Sequence, residues 1–399
     1  MVATSAIVTL IVAGVASFFM AWTIGAGSSG STPFAPAVGA NAISILRAGF
    51  VVGILGLLGA VTQGANVSEA VGEQLVRGAP LSPAAAVTAL LIAATLVAVG
   101  VFSGYPIATA FTVTGAVVGA GLAIGRAPNW PKYLEIVSLW VATPLVGGGV
   151  AYATARTLRT EAVPESVAVP ALGGGVGAIL ANVEFVFLDP PGESAALTAT
   201  AVGELPTTPA VAVAGTTLLA AAATAGALAV AMRDPERGQR WFLLALGGLV
   251  AFSAGGTQVG LAVGPLLPVL GATSLPWQVP LMAVLVFGGV GLLVGSWTGA
   301  PRMIKALSQD YSSLGPRRSI AALIPAFGIA QTAVLLGVPV SFNEIIVSTI
   351  VGAGYAGAGG DGGGVSREKM VNTVLAWIGS LFGAGVVAYA AMAVLSGLV

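Results

Sequence analysis

Neither cysteine nor histidine occurs in the 399 residues. That removes disulfides, thiol chemistry, haem ligation, most zinc sites and the usual general base. Charge is scarce too: Asp, Glu, Lys and Arg make up 8% of the chain, against about 25% in a soluble domain. The fifteen basic and fifteen acidic residues cancel, so no net field exists to attract nucleic acid or to hold a soluble face on a membrane. No lysine or arginine precedes Arg47. The apolar stretch 6–24 thus lacks the charged start of a cleaved signal peptide and is expected to belong to the mature membrane domain.

What fills the chain instead is apolar: 56% of residues are hydrophobic and the mean hydropathy is +0.98. Glycine, at 57 residues, is about twice its usual share, which suits closely packed helices. The expected fold class is an all-α polytopic membrane protein, multi-pass in the cell membrane, with the lipid bilayer as its surroundings. Apolar runs predict about twelve crossings, at 5–43, 45–63, 83–102, 104–125, 133–155, 167–188, 207–231, 240–275, 279–298, 319–338, 341–357 and 370–397. The first and eighth are too long for one helix and contain Gly/Ser/Thr/Pro-rich stretches, so broken or re-entrant segments are expected there, lining a cavity.

Loops 232–240 (Arg233, Arg237, Arg240) and 299–318 (Arg302, Lys305, Arg317, Arg318) are basic and expected to be cytoplasmic. Loop 189–206 carries Asp189, Glu193 and Glu204 without a base, which fits the outside. Arg126 and Lys132 fall on the outer side in this scheme and run against it.

The chain also repeats itself. PIATAFTVTGAVVGAG (106–121) and PVSFNEIIVSTIVGAG (339–354) align at an offset of 233, and GSSGSTPFAP (27–36) aligns with GTQVGLAVGP (256–265) at 229. The expected organisation is a first transmembrane repeat over 5–155, a linking pair of helices over 156–239 and a second repeat over 240–397. Loop 64–82, with Glu69, Glu73 and Arg77, has the opposite charge bias to its counterpart 299–318. Opposite bias predicts inverted halves, the plan of secondary transporters that bind substrate at the midplane.

Candidate binding residues lie in the repeated elements. Ser28, Ser29, Ser31 and Thr32 sit among glycines, followed by Pro33 and Pro36; Thr257 and Gln258 hold the equivalent place. A neutral cradle of N–H and O–H groups beside a helix start suits an oxyanion. The Pro106 and Pro339 elements add Thr109, Thr112, Ser341, Asn343 and Glu344. Glu344 could carry a proton, bind a cation or cap a helix start. Asn41, Gln63 and Asn66 are weaker candidates, as caps or interhelical hydrogen bonds, and Trp22, Trp130, Trp140, Trp277 and Trp297 are expected to be interface anchors. No enzyme chemistry is visible; no cofactor is expected beyond sodium or a proton as a possible coupling ion, and whether a metal ion is held stays open.

These motifs resemble the inorganic phosphate transporter (PiT) family, which repeats a G-A-N-D-x-A-N-A-x-G signature in two inverted halves, each followed by a P-V-S-x-T-H type element. Here the signatures read GAGSSGSTPFAPAVG (25–39) and FSAGGTQVGLAVGPL (252–266). GANVSEAV (64–71) and TGAPRMIKAL (298–307) also resemble family segments. The resemblance implies a membrane-embedded homodimer moving inorganic phosphate with sodium or a proton as coupling ion. It places Ser28, Ser29, Thr32, Thr109, Thr257, Gln258, Ser341 and Asn343 at the substrate and Glu344 as the coupling candidate.

The chain departs from the pattern where sodium would be held. The Asn-Asp pair becomes Ser28-Ser29, with one residue of register open, and Thr257-Gln258; the histidines become Phe111 and Glu344. The leading expectation is therefore a phosphate permease working by alternating access. A sulfate or other oxyanion permease, an uncoupled channel-like uniporter and a non-transporting sensor are the alternatives.

Overall fold

In the computed structural model the described residues are 2–78, 80–160, 163–185, 195–205, 207–272, 278–357 and 365–397. Trp277, Asp189 and Glu193 lie outside them. The chain is helical apart from two short antiparallel pairs, Val76–Arg77 with Ala127–Pro128 and Glu184–Phe185 with Ala195–Ala196. Local chemistry sets many helix ends. Ser82 accepts from the Ala85 N–H ahead of Pro83, and Asp234 accepts from the Arg237 N–H ahead of Pro235.

The first half runs α1 (Val2–Gly27), α2 (Ala35–Gly39), α3 (Ile45–Gln63), α4 (Ala65–Glu69), α5 (Pro83–Ser103), α6 (Thr109–Ala123), α7 (Trp130–Ala142) and α8 (Gly148–Arg159). A π-turn at Thr143–Gly147 joins α7 to α8 into one apolar span, Trp130–Arg159. The middle holds α9 (Glu165–Ala181), α10 (Leu197–Glu204) and α11 (Pro209–Ala231). The last part comprises α12 (Pro235–Val263), α13 (Leu266–Ala272), α14 (Leu281–Thr298), α15 (Ala300–Gln309), α16 (Pro316–Leu336), α17 (Phe342–Tyr355) and α18 (Arg367–Gly397).

Among the described residues nine helices are long and apolar enough to cross a membrane, and the protein is a multi-pass membrane protein. The nine differ from the twelve full crossings expected, and the difference is informative. At 1.5 Å per residue, α6 and α17 reach only about 21–23 Å of the roughly 30 Å hydrocarbon core. Each is preceded by non-helical chain, 104–108 and 337–341. Both are half-helices. Each is fed by a long helix that ends on a left-handed glycine, Gly104 (φ 75°) after α5 and Gly337 (φ 58°) after α16, a backbone that a Cβ disfavours.

The two turns lie at opposite ends of the helices. The one after α5 sits by α15, where Arg302 donates to the Phe102 carbonyl at 3.1 Å. The one after α16 sits where Lys132 donates to the Leu336 carbonyl at 3.3 Å and Asn66 to that of Val334 at 3.3 Å. Lys132 also pairs with Glu135. A base at the end of α16 is thus satisfied by the helix terminus and an acid, which accounts for a lysine on a face read as non-basic.

Both long segments are interrupted, at different places relative to their glycines. The first Gly/Ser-rich stretch does break, with α1 ending at Gly27 and α2 starting at Ala35. The second breaks as well, but later than its glycines suggest: α12 runs unbroken from Pro235 to Val263, and the chain turns at Gly264–Pro265 before α13. Pro33 and Pro36 interrupt the first stretch, whereas no proline lies between 236 and 264. The glycines of α12 serve packing instead. A Cβ on Gly255 would lie 1.9 Å from the Gly56 carbonyl oxygen, and one on Gly59 of α3 would lie 1.8 Å from that of Phe252. Backbone meets backbone across the α3–α12 crossing.

Two indoles brace the non-helical segments. Trp377 of α18 donates to the Pro106 carbonyl at 2.7 Å, and Trp140 of α7 donates to the Pro339 carbonyl at 2.9 Å. Both are buried, so Trp140 is a structural clamp rather than the interface anchor expected. Trp130 and Trp297 are exposed as anchors should be. Because the clamps do matching work, Trp140→Phe and Trp377→Phe should each lower stability by about 1 kcal/mol and slow transport similarly. Thermal unfolding and uptake measured side by side check this, and a large loss in one variant alone would refute equivalent roles.

Candidate anion-binding site

The starts of α6 and α17 converge at a polar node between α1 and α12. Gln258 of α12 is its centre. Its Oε1 accepts from Ser28 Oγ at 3.0 Å and Thr109 Oγ1 at 2.8 Å, and its Nε2 donates to the Val340 carbonyl. Asn343, in the first turn of α17, donates through Nδ2 to the carbonyls of Gly27 (2.9 Å) and Ile107 (2.7 Å). One amide therefore ties the end of α1, the approach to α6 and the start of α17 together.

Neither half-helix is capped by a side chain: Ala108 and Ser341 stand at the cap positions without a capping hydrogen bond. Among the described residues Ser341 Oγ and Asn343 Oδ1 are buried without a partner. Two positive helix ends, hydroxyls and amides thus face one small volume with no carboxylate in the hydrogen-bonded cluster. That arrangement favours an anion able to accept several hydrogen bonds. Ser28, Thr109, Gln258 and Ser341 are completely buried, so the node is closed in this conformation and the hydroxyls are spent on Gln258.

The other candidates are placed differently. Ser29 is buried, but Ser28 is the serine that reaches Gln258. Thr32 and Ser31 turn back to the Ser28 carbonyl and stabilise the break after α1. Thr257 donates to Ser253 and Ala254 carbonyls of its own helix, and Thr112 to that of Ala108. Glu344 is 3% exposed with Oε2 unpartnered among the described residues. It lines an otherwise apolar groove of about 770 Å³ with Phe111, Trp140, Gly148, Ser348 and Trp377. Phe111 stacks on Trp140 with ring centroids 3.9 Å apart. Asn41 is a left-handed turn residue (φ 58°) rather than a cap.

A second polar track joins Gln63, expected as a cap or an interhelical hydrogen bond, to Gln331 and Ser253, which sequence reasoning missed. Gln63 and Gln331 exchange amide hydrogen bonds at 3.3 and 3.4 Å, and Gln331 Nε2 reaches Ser253 Oγ at 2.6 Å. Gln63 also donates to the Glu184 carbonyl at 2.9 Å. Gln331 opens onto a cavity of about 770 Å³ with Asn182, Glu184 and Thr217 on its walls. Ser253 lies about one turn before Thr257 on α12. The signal was available: an amide in the middle of an apolar run needs a partner, and Gln331 stands in such a run.

A model of the family described as "Phosphate transporter family" matches residues 24–388. The chain belongs to that family. Among relatives of this phosphate transporter family member, a Pyrococcus horikoshii protein named as a candidate phosphate permease is 25% identical over 393 residues, covering 93% of this chain and 94% of its own. The chloroplastic inorganic phosphate transporter 2-1 of Arabidopsis thaliana is 26% identical over 386 residues, with 85% of this chain and 64% of that protein covered. A solved structure titled as the sodium-dependent phosphate transporter shares the fold, with a TM-score of 0.79 at 22% identity, over 98% of this chain and all of that one.

Proposed function

We propose that this family member is a secondary transporter of inorganic phosphate that works by alternating access around the node. The carrying observation is the meeting of two uncapped half-helix starts at Gln258, Ser28 and Asn343. Phosphate near neutral pH carries both charge and a proton. The hydroxyl and amide N–H groups and helix ends serve the charged oxygens, and the unpartnered Asn343 Oδ1 is an acceptor for the proton. Sulfate lacks that proton, and this acceptor favours phosphate over it.

The matched features support an inverted repeat. Gly104 and Gly337, and Pro106 and Pro339, stand 233 positions apart, and their turns approach the node from opposite ends. The Gln63–Gln331–Ser253 track is the approach from one side. Homodimer formation remains part of the proposal through family resemblance.

Coupling departs from the family pattern. The signature's Asn-Asp pairs are replaced by Ser28-Ser29 and Thr257-Gln258. Transport is accordingly proposed to need sodium weakly or not at all, with Glu344 as the proton-carrying group. Purified protein in liposomes should take up labelled phosphate over sulfate, respond to an imposed pH gradient and respond little to sodium. Glu344→Gln should flatten the pH dependence while leaving the folded protein intact. Steep sodium dependence with an unchanged pH profile in Glu344→Gln would overturn the coupling scheme; sulfate preferred over phosphate would overturn the substrate.

A further inference from the structure

A second polar cleft, of about 600 Å³, opens on the basic face, away from the node. Its walls include Arg159 at the end of α8, Glu165 at the start of α9, Glu236 and Gln239 of α12, and Arg317 and Arg318 of α16. The charges are not evenly matched. Glu165 is fully engaged, with Oε1 paired to Arg317 Nε and Oε2 accepting from Gln239 Nε2 at 2.9 Å. Arg159 and Arg318 spend only part of their donor sets, and on neutral groups. Arg159 Nη1 donates to the Ala356 carbonyl at 3.2 Å, and Arg318 Nη1 to Ser313 O and Oγ at 2.7 and 2.9 Å.

The two guanidinium groups also converge. A Cβ built on Gly357 would lie 2.1 Å from Arg318 Nη2 and 3.0 Å from Arg159 Nη1, so the two nitrogens are no farther apart than the sum of those distances. Among the described residues the ion pairs of this face leave both without a carboxylate. Like charges held together in a cleft are relieved by an anion that takes donors from both planar forks, and a phosphate group is the natural fit. Glu236 on the cleft wall is exposed and weakens the attraction without filling the gap between the arginines.

We propose that Arg159 and Arg318 form a second anion site that binds a phosphate group at the C-terminal end of α17. Its place gives it a consequence: α17 carries Asn343 of the node at its other end. The ligand chemistry is one, a phosphate group, and it is offered by inorganic phosphate or by an anionic lipid headgroup. The proposal stands on the cleft alone and does not depend on transport through the node.

The test uses the full chain purified in neutral detergent and titrated with inorganic phosphate by calorimetry, and the same chain in nanodiscs of phosphatidylcholine with or without phosphatidylglycerol. Arg159→Gln with Arg318→Gln should lower affinity at the cleft by about tenfold or more, while Ser28→Ala, which acts at the node, leaves the cleft isotherm unchanged. If phosphate binding is unaltered but the stabilisation given by phosphatidylglycerol disappears in the double variant, the headgroup is the ligand. Should the double variant not fold, Gly357→Ala carries the test, since it keeps both charges but pushes Arg318 away from Arg159. Unchanged phosphate binding together with an unchanged phosphatidylglycerol effect would overturn the site.

Discussion

Gln258→Leu is expected to abolish phosphate uptake with a smaller loss of stability. Leucine keeps the approximate volume but removes the one group that joins Ser28, Thr109 and Val340. Each hydrogen bond lost to a charged ligand is worth about 1.5–3 kcal/mol, which is about ten- to more than a hundredfold in affinity. The groups left unpaired cost about 1–3 kcal/mol each, offset where the hydroxyls turn to nearby carbonyls. Uptake in liposomes and thermal unfolding of the same preparation separate the two effects. Wild-type affinity in folded Gln258→Leu would move the binding site elsewhere.

Gly255→Val should prevent assembly of the folded bundle. Its first added carbon meets the Gly56 carbonyl oxygen at 1.9 Å, and the opposing Gly59 meets Phe252 as closely. The obstacle is backbone on both sides, so no rotamer change relieves it, and the cost should exceed the usual 1–3 kcal/mol of overpacking. Gly14→Ala is the matched control: nothing lies within 4 Å of its added carbon, and alanine favours a helix interior by about 0.5–1 kcal/mol. Size-exclusion profiles and unfolding temperatures of the two variants decide the matter. A monodisperse, stable Gly255→Val protein would contradict the observed α3–α12 crossing.

How far the site was legible can be followed at particular residues. Ser28, Thr109, Gln258 and Asn343 were visible as polar residues in repeated, glycine- and proline-marked segments, and the structure brings these four together. Glu344 follows Asn343 directly, yet helical rotation of one residue turns it toward the apolar groove lined by Phe111 and Trp140. Thr257 looked equivalent to Gln258, but its short hydroxyl closes on its own helix, as Ser and Thr side chains often do. Trp140 looked like an interface residue because tryptophan usually is one; only the position of Pro339 beside it makes it a clamp.

The breaks show the same division. Apolar runs and glycine content determined that the chain spans a membrane many times as helices, because hydrocarbon leaves no other way to satisfy its backbone. Repeated prolines at 106 and 339 marked the elements that matter. Where each glycine-rich stretch breaks was decided in three dimensions. Residues 28–34 turn, while 252–263 stay helical because their glycines lie against the backbone of α3. The lengths of α6 and α17, and hence the meeting of their positive ends, likewise depended on where Gly104 and Gly337 end the preceding helices. A one-dimensional pattern carries the period and polarity of each helix, but which polar faces come to share a volume is set by how the helices cross.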